Sequence, residues 1–329
     1  MKIVAPFSRP EEVEMLLHCG ADELYCGIDT PEWHAHFGNR FWMNRRSPDG
    51  ANLITFADIR GAVGTAHARG VPVHLTLNAP FYPAESIGYV LRLCQKLAAE
   101  LGIDGYIVSD MNLLFHLAEA SLPVRLHLSS LGSCFNAKAV PFYRSLGIRR
   151  IILPRQLRLG EIGRLVTEAG AGVEFEVFAV NDGCMFEEGF CQTTHTLGPF
   201  CLTDWEVAEP ASASGSMENE SLDHACRNLK EYLWYQNNCG SSSQPDGLPN
   251  GPCSLCWFGR FRDWGVTAVK IVGREASFLR KMRSLQLVKT VVEAVNGGMD
   301  ADAVPALARS LRNTPQFCDR GHMCHFRNG

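Results

Sequence analysis

The chain alternates between two hydrophobic patterns from its first residues to about residue 272. Short apolar and β-branched runs are each followed by a longer segment in which apolar residues recur with the 3.6-residue period of an amphipathic helix. The short runs predict strands at 2–6, 23–28, 72–78, 105–109, 125–129, 150–154, 173–180 and 268–272. The longer segments predict helices near 10–19, 55–69, 85–101, 112–120, 137–146, 159–169 and 255–264, with a last helix over 275–297.

Strands that alternate with helices are typical of a parallel sheet, and eight repeats favour a closed, TIM-like (β/α) barrel over an open sheet. No Gly-rich phosphate-binding fingerprint follows the first predicted strand, which weakens a dinucleotide-binding doubly wound fold. We therefore predict one barrel domain over residues 1–298, including a cysteine-rich insertion at 181–254, and a C-terminal tail over 299–329.

Two stretches break the alternation, residues 29–52 after the second predicted strand and residues 181–254 after the seventh. In a barrel of this type both would emerge at the carboxyl ends of the strands, where active sites are found. The first stretch is aromatic and basic, which is typical of a lid or a base-stacking surface, although an exposed, solvated loop is the simpler interpretation. Its character comes from His34, His36, Arg40, Trp42, Arg45 and Arg46.

The composition is that of an ordinary globular protein, with 46% hydrophobic and 20% charged residues. The net charge of −4 provides no broad basic field, so no extended nucleic-acid surface is predicted, although a local basic patch remains compatible. No stretch approaches the roughly 18 uninterrupted apolar residues of a membrane span. Residues 1–6 run directly into a predicted strand without the apolar core of a signal peptide, and we therefore expect a cytoplasmic protein.

The chain contains 13 cysteines, an odd number that disulfides cannot pair completely. In a reducing compartment, metal ligation or redox chemistry is the better explanation for so many thiols. Four lie within apolar patterns and are predicted to pack as small hydrophobic residues: Cys19, Cys26, Cys94 and Cys134. Six more lie in the insertion: Cys184, Cys191, Cys201, Cys226, Cys239 and Cys253. The tail adds Cys318 and Cys324, in a segment without helical or zinc-knuckle context that we interpret as a mobile terminus, with a second metal site as the alternative.

Thiolates are soft ligands that suit zinc or iron–sulfur clusters. Structural zinc sites usually contain paired ligands two to four residues apart, and in this region only Cys253 and Cys256 meet that spacing. The wide and uneven spacing of Cys184, Cys191 and Cys201 suits a cuboidal cluster, whose ligands approach from different directions. The spacing therefore favours a cluster, with zinc as the alternative.

The sequence around the first insertion cysteines reads Glu176-x-Phe178-x(5)-Cys184-x(4)-Gly189-x-Cys191. This pattern is similar to the signature of the collagenase-like peptidases, peptidase family U32. Residues 153–157, LPRQL, and residues 265–274, GVTAVKIVGR, resemble the LPREL and GVDSLKIEGR segments of that family, in the same order. Together with similarities at 67–78 and 105–110, the resemblance extends over roughly residues 1–285.

The resemblance implies a barrel fold and a 4Fe-4S cluster held by four cysteines. It also implies oxygen-independent hydroxylation, because several members resemble proteins that hydroxylate a ubiquinone precursor or nucleosides of tRNA and rRNA. Carried over by position, the cluster ligands are Cys184, Cys191, Cys201 and Cys253, with Cys256 as the alternative fourth ligand.

Polar residues at the carboxyl ends of the predicted strands are candidates for catalysis or substrate binding, because these ends form the mouth of a barrel. Five of them are predicted to be catalytic: Asn78, Asp110, Arg155, Lys270 and Arg274. Arg155 and Arg274 could hold a carboxylate or phosphate through paired hydrogen bonds. A structural ion pair is the alternative for each arginine, and a buried pair with a carboxylate is the alternative for Lys270.

The sequence departs from the family pattern at Asn181, where a glycine is expected, and at Val272, where a glutamate is expected. We expect an enzyme that hydroxylates or otherwise modifies a small aromatic or nucleobase-containing substrate without oxygen. A peptidase is one alternative, although the sequence contains no Gly-x-Ser-x-Gly elbow and no His-Glu-x-x-His helix. A non-catalytic subunit that carries its cluster beside a homologous partner is the other.

Overall fold

The chain is described by a computed structural model. The structure describes residues 1–38, 42–46, 48–181, 223–227, 229–230, 243–319 and 324–326. Within these residues, no helix has the length and apolar character needed to cross a membrane.

Eight parallel strands form a closed barrel in which each strand pairs with the next along the chain. The strands are β1 (Lys2–Pro6), β2 (Glu23–Gly27), β3 (Val73–Leu77), β4 (Gly105–Val108), β5 (Arg125–Leu128), β6 (Ile148–Ile152), β7 (Glu174–Val180) and β8 (Ala268–Ile271). The pairing of Lys2 with Ala268 joins β1 to β8 and closes the barrel. The predicted TIM-like architecture is confirmed, and β6 differs most from its predicted bounds, beginning and ending two residues earlier.

Helices lie between consecutive strands and cover the outside of the barrel. They are α1 (Val13–His18), α2 (Pro31–Phe37), α3 (Pro48–Ala51), α4 (Phe56–His67), α5 (Ala84–Leu101), α6 (Met111–Ala120), α7 (Val140–Ser145), α8 (Leu159–Ala169), α9 (Phe258–Trp264), α10 (Phe278–Asn296), α11 (Val304–Arg312) and α12 (Pro315–Cys318). Single 3-10 turns precede α1, α7 and α9, at Pro10–Glu12, Ala137–Ala139 and Leu255–Trp257. Helix α5 shows how the pattern folds, because Ile87, Val90, Cys94 and Leu97, spaced three or four residues apart, are all buried.

Two hydrophobic cores result from this arrangement. The larger core lies between the strands and the surrounding helices, and it contains Cys19, Cys26, Cys94 and Cys134, which are buried as predicted. The smaller core is a separate cluster of residues from six of the strands and from the residue after β8, namely Val4, Tyr25, Ile107, Ile152, Phe178, Ala268 and Val272. As in other barrels of this type, the interior is packed with side chains rather than open.

The expectation of a long loop over residues 29–52 is wrong, because α2 and α3 form there. Thr30 begins α2, since its hydroxyl accepts a hydrogen bond from the backbone N–H of Trp33, and Pro31 suits the first helical position. The indole of Trp33 is fully buried and packs against Phe37, with ring centroids 4.4 Å apart. The aromatic residues of this stretch therefore include core residues as well as surface ones.

The predicted C-terminal tail, residues 299–329, contains two helices that the sequence did not predict. Helix α11 has a buried face formed by Val304, Ala308 and Arg312, and the short helix α12 ends at Cys318. The spacing of four residues between these buried positions is that of an amphipathic helix.

Candidate functional site

A pocket opens at the carboxyl ends of the strands. Its lining consists of Tyr25, Arg45, Arg46, Thr76, Asn78, Ile107, Ser129, Ser130, Ile152, Arg155, Phe178, Lys270, Val272, Gly273 and Arg274. Five of these side chains are basic and, among the residues that the structure describes, none in the lining is acidic. Such a concave site suits an anionic ligand, because converging cations lower the free energy of a bound negative charge.

Four of the five predicted catalytic residues meet in this pocket: Asn78, Arg155, Lys270 and Arg274. The fifth, Asp110, does not line it. The Asp110 carboxylate instead caps the start of helix α6, where it accepts a hydrogen bond of 2.6 Å from the backbone N–H of Leu113. It accepts another, of 3.2 Å, from the backbone N–H of Tyr82. Its position after β4 was predicted correctly, but these contacts give it a capping role.

Arg274 is almost completely buried and is held by neutral amides rather than by a carboxylate. Its Nη1 donates to Asn52 Oδ1 at 2.9 Å and its Nη2 to Asn44 Oδ1 at 2.7 Å. Within the described part of the chain, no carboxylate forms an ion pair with it. Burial lowers the pKa of the guanidinium to about 10, which leaves Arg274 charged at neutral pH, and its side-chain hydrogen bonds within the described residues go to neutral amides.

The close approach of Arg274 to β2 depends on Gly27. A Cβ atom at this position would lie 1.6 Å from Arg274 Nη1 and 2.1 Å from Asn52 Oδ1, distances that no side chain can adopt. The glycine at the end of β2 therefore provides the space in which the guanidinium and the amide of Asn52 meet.

The sequence did not indicate that Asn44 and Asn52 belong to the site. Both are buried, and Asn44 donates to Asn52 Oδ1 at 2.9 Å and to the Ile28 carbonyl at 3.4 Å. A bridge between Ile28 and Leu53 fixes the end of this segment to β2. Two asparagines in a polar stretch are not a signal of burial, because the residue type does not specify the direction of the side chain.

Lys270 forms the buried pair with a carboxylate that was the alternative to a catalytic role. Its Nζ lies 3.1 Å from Glu176 Oε1, and the ammonium lies 3.7 Å from the centre of the Tyr25 ring. The same side chain lines the pocket. Burial lowers the pKa of Lys270, although the negative charge of Glu176 opposes that shift, so its proton is held less tightly than that of a solvated lysine.

A network of buried charges lies next to Lys270, on the side of the barrel away from the mouth. The Arg150 guanidinium donates to Glu23 through both terminal nitrogens, at 2.6 and 2.8 Å, and to Glu176 at 3.0 Å. His74 contacts Glu23 at 3.0 Å from the other side. Burial opposes ionisation of Glu23, but the hydrogen bonds from His74 and Arg150 outweigh it and lower the pKa of this carboxyl.

Arg155 lies over the Phe178 ring, with 5.0 Å between Cζ and the ring centroid. Phe178 also contacts His325 from the C-terminal segment, with nearly parallel rings whose centroids are 6.4 Å apart. A cation over an aromatic face is a favourable arrangement for binding a planar anion beside it. The C-terminal segment therefore contributes to the rim of the site, which the sequence did not predict.

The structure explains both departures from the family pattern. Asn181 has a φ of 66°, in the left-handed region that glycine and asparagine adopt most readily, so it preserves the backbone of the expected glycine. Val272 lines the pocket, and a glutamate there would place a carboxylate among the basic residues. The valine therefore makes the mouth more favourable for an anion than the family pattern would.

Of the predicted cluster ligands, Cys184, Cys191 and Cys201 lie outside the described residues. Cys253 is buried and forms an antiparallel bridge with Val180, the last residue of β7, four residues before Cys184 in the chain. This bridge holds the backbone of Cys253 beside the end of β7, where the chain enters the cysteine-rich insertion. Among the described residues alone, no three histidine, cysteine or acidic side chains are placed to hold a metal ion.

The family model described as peptidase family U32 matches residues 8–328. The tRNA hydroxylation protein P1 of Bacillus subtilis is 22% identical over 308 residues, which cover 91% of this chain and 63% of that protein. The tRNA hydroxylation protein P of Escherichia coli is 25% identical over 190 residues, covering 58% of this chain and 38% of the relative.

A protein named collagenase, from Porphyromonas gingivalis, is 27% identical over 200 residues that cover 58% of this chain and 44% of that protein. The chain thus spans less than two thirds of the length of each of these relatives. A solved U32 peptidase aligns with a TM-score of 0.48 and 12% identity over 83% of this chain and 93% of its own. Because the family model matches nearly the whole sequence, the chain belongs to peptidase family U32.

Proposed function

We propose that the chain is a 4Fe-4S enzyme of oxygen-independent hydroxylation, acting on an aromatic or nucleobase-containing substrate with the help of an anionic group bound at the barrel mouth. The observation that carries the proposal is the pocket itself, whose described lining has five basic residues and no acidic one. The names of the relatives, tRNA hydroxylation proteins in two organisms, support a nucleobase as the substrate.

The proposed cluster ligands are Cys184, Cys191, Cys201 and Cys253, with Cys256 as the alternative to Cys253. The donor chemistry fits, because Cys253, which lies in the described part of the chain, has a buried free thiol. Its backbone forms a bridge with Val180 at the end of β7. When bound, the cluster would supply one-electron redox chemistry or a Lewis-acidic iron to the reaction.

The chain's own residues would bind and orient the substrate. Arg274 and Arg155 are the proposed anion-binding groups, since the buried charge of Arg274 is held by amides among the described residues and Arg155 lies at the rim. The Phe178 ring would pack against a planar substrate next to them. Lys270 has a lowered pKa and the carboxylate of Glu176 as its partner. It would hold or release a proton for the substrate bound in the pocket.

Mass spectrometry of nucleosides from a strain that lacks the gene tests this proposal. One hydroxylated nucleoside of tRNA or rRNA should disappear, return with the wild-type gene, and stay absent with Cys191→Ser or Arg274→Met. Arg69→Met, a change at an exposed arginine remote from the pocket, is the matched control and should restore it. Unchanged nucleosides with loss of a ring hydroxyl from the quinone pool would identify a quinone precursor, whereas no change in either would contradict the proposal.

A peptidase is the competing function, because one relative bears the name collagenase. The pocket contains Ser129 and Ser130, but among its described lining residues no histidine or cysteine accompanies them as a base or nucleophile. Digestion of collagen or casein by the metal-replete chain, with Cys191→Ser assayed alongside, would reveal this activity if it existed.

A further inference from the structure

The two ends of the cysteine-rich insertion are joined by backbone hydrogen bonds. Asn181, which follows β7, donates its N–H to the Pro252 carbonyl at 2.7 Å. The N–H of Ser254 donates to the Ala179 carbonyl at 2.9 Å. Cys253 lies between these two bonds, in its bridge to the end of β7. The backbone of this proposed cluster ligand is therefore fixed at the junction where the insertion returns to the barrel.

Arg280 lies in the first turn of α10 and is almost completely buried beside this junction. Its Nη2 donates to Asn181 Oδ1 at 2.8 Å, whereas its Nε has no hydrogen-bond partner within the described part of the chain. Among the described residues no carboxylate forms an ion pair with Arg280, and the neighbouring Glu275 is paired with Arg46 at 3.0 Å. Burial lowers the pKa of Arg280, and the charge of Glu275 opposes that shift. Because arginine stays protonated at neutral pH, a positive charge is buried here.

Arg312, at the end of α11, contacts the same junction from a second helix. Its side chain is also buried, and its Nη2 donates to the carbonyls of Asn250 and Gly251. Its Nη1 is buried and, as far as the structure describes the chain, has no hydrogen-bond partner. A Cβ atom on Gly251 would lie only 3.6 Å from Arg280 Nη2. Both guanidinium groups therefore lie around Gly251, two residues before Cys253.

The next residue of α10 shows how a buried cation can be balanced in this chain. Lys281 is buried as well, but its ammonium donates to both carboxylate oxygens of Glu12, at 2.8 and 2.9 Å. A buried charge without such a partner is costly, because the protein interior solvates it poorly. Two such charges around one junction are favourable only if an anionic group lies nearby.

We propose that Arg280 and Arg312 balance the negative charge of the iron–sulfur cluster and thereby set its reduction potential, an inference that rests on the proposed function. A 4Fe-4S cluster with four thiolate ligands is an anion, and it becomes more negative when it accepts an electron, so nearby cations favour its reduced form. Arg280 is bonded to the residue three positions before Cys184. Arg312 is bonded to the residues two and three positions before Cys253.

Redox titration of the anaerobically purified full chain with dithionite, followed by electron paramagnetic resonance, tests the inference. The Arg280→Met and Arg312→Met chains should keep their iron, but their cluster should accept the electron from dithionite less readily. We expect the equilibrium constant for this one-electron reduction to fall about tenfold in each variant, which lowers the midpoint potential by about 59 mV. Arg280→Lys and Arg312→Lys keep the charge and should stay close to the wild-type potential.

Arg283→Met is the matched control, because Arg283 lies one turn after Arg280 on the same helix but is already paired with Asp246 at 2.9 Å. Its removal should leave the potential unchanged, since partly exposed charges are screened by solvent. A second test removes no arginine. Asn181→Asp places a carboxylate next to Arg280, at the position of the present 2.8 Å hydrogen bond, and should lower the potential. Asn181→Gly suits the φ of 66° and adds no charge, so it should not.

Unchanged potentials in both methionine variants, in chains that keep their iron, would overturn the inference and leave the proposed function intact. Equally large shifts in the lysine variants would also overturn it, because packing rather than charge would then be responsible. Absence of iron from the wild-type chain would refute the proposed function, and the inference with it. If the methionine variants lose the cluster, Asn181→Asp and Asn181→Gly decide the question, and equal potentials in these two would refute the role of charge.

Discussion

The barrel interior contains two charged regions that differ in how their charges are balanced. In the network around Arg150, which lies away from the mouth, the guanidinium contacts Glu23, Glu174 and Glu176, all within 3.0 Å. At the mouth, Arg274 is also buried, but its side-chain hydrogen bonds to the described residues go to the amides of Asn44 and Asn52. In the first region the opposite charges balance one another and stabilise the fold. In the second, a positive charge remains for a ligand to neutralise.

Arg150→Met should have the largest effect on stability, because it leaves three carboxylates around an apolar side chain. Removing one partner of a buried ion network costs about 3–5 kcal/mol, so the free energy of unfolding should fall by that amount. Urea denaturation followed by circular dichroism measures it. A loss below about 1 kcal/mol would show that Arg150 is not the balancing charge of this region.

Arg274→Met should have the opposite profile. The folded chain should be about as stable as the wild type, because removal of an uncompensated buried charge offsets the lost hydrogen bonds. Activity, measured by the nucleoside assay, should fall roughly 10- to 100-fold, corresponding to the ~1.5–3 kcal/mol of a hydrogen bond to a charged group. Arg274→Lys serves as the control that keeps the charge. If Arg274→Met lost as much stability as Arg150→Met, Arg274 would be a structural residue.

Asn52→Asp makes the mouth resemble the Arg150 network by adding a carboxylate next to Arg274. Because the two side chains have the same size and already lie 2.9 Å apart, the fold should be kept while the new ion pair neutralises the guanidinium. We expect substrate affinity to fall about tenfold, a free-energy change of about 1.4 kcal/mol. Asn52→Ala removes the amide without adding charge. The aspartate variant should bind substrate more weakly than the alanine variant, and the opposite order would contradict the role of charge.

The smallest effect concerns acid stability. The pKa of Glu23 lies below its ordinary value of 4.5, so the folded chain binds this proton less tightly than the unfolded chain. The stability that Glu23 contributes is therefore fully present above pH 4.5 and is lost as the pH falls towards its folded pKa. As the pH is lowered below 4.5, unfolding free energies of Glu23→Gln should decline less steeply than those of the wild type, and an equal slope would assign the acid dependence to other groups.

The sequence predicted the barrel because the two hydrophobic periods persist through every repeat, and the closing pair β1–β8 follows from having eight strands. It predicted the mouth as the location of Asn78, Arg155, Lys270 and Arg274 for the same reason. It did not predict the helix at 31–37, where Trp33 and Phe37 are buried in a stretch whose composition resembled a surface loop. Composition alone does not separate an aromatic lid from an aromatic core.

The charge network and the amide contacts of Arg274 also escaped prediction. Arg150 and Glu23 lie on strands, but whether two charges meet across a barrel depends on register, which is set by all eight strands together. Likewise, Asn44 and Asn52 reach Arg274 across 230 and 222 residues of sequence. Contacts of this range follow from the closed fold and leave no local pattern.

The most direct test of the proposed function is an iron and acid-labile sulfide analysis of the full chain, expressed with ample iron and purified without oxygen. We expect about four iron and four sulfide per chain, with both depleted in Cys191→Ser and retained in Cys94→Ser. A wild-type chain that contains zinc but no iron under these conditions would contradict it, and the insertion would then be a zinc-stabilised loop beside an anion-binding barrel mouth.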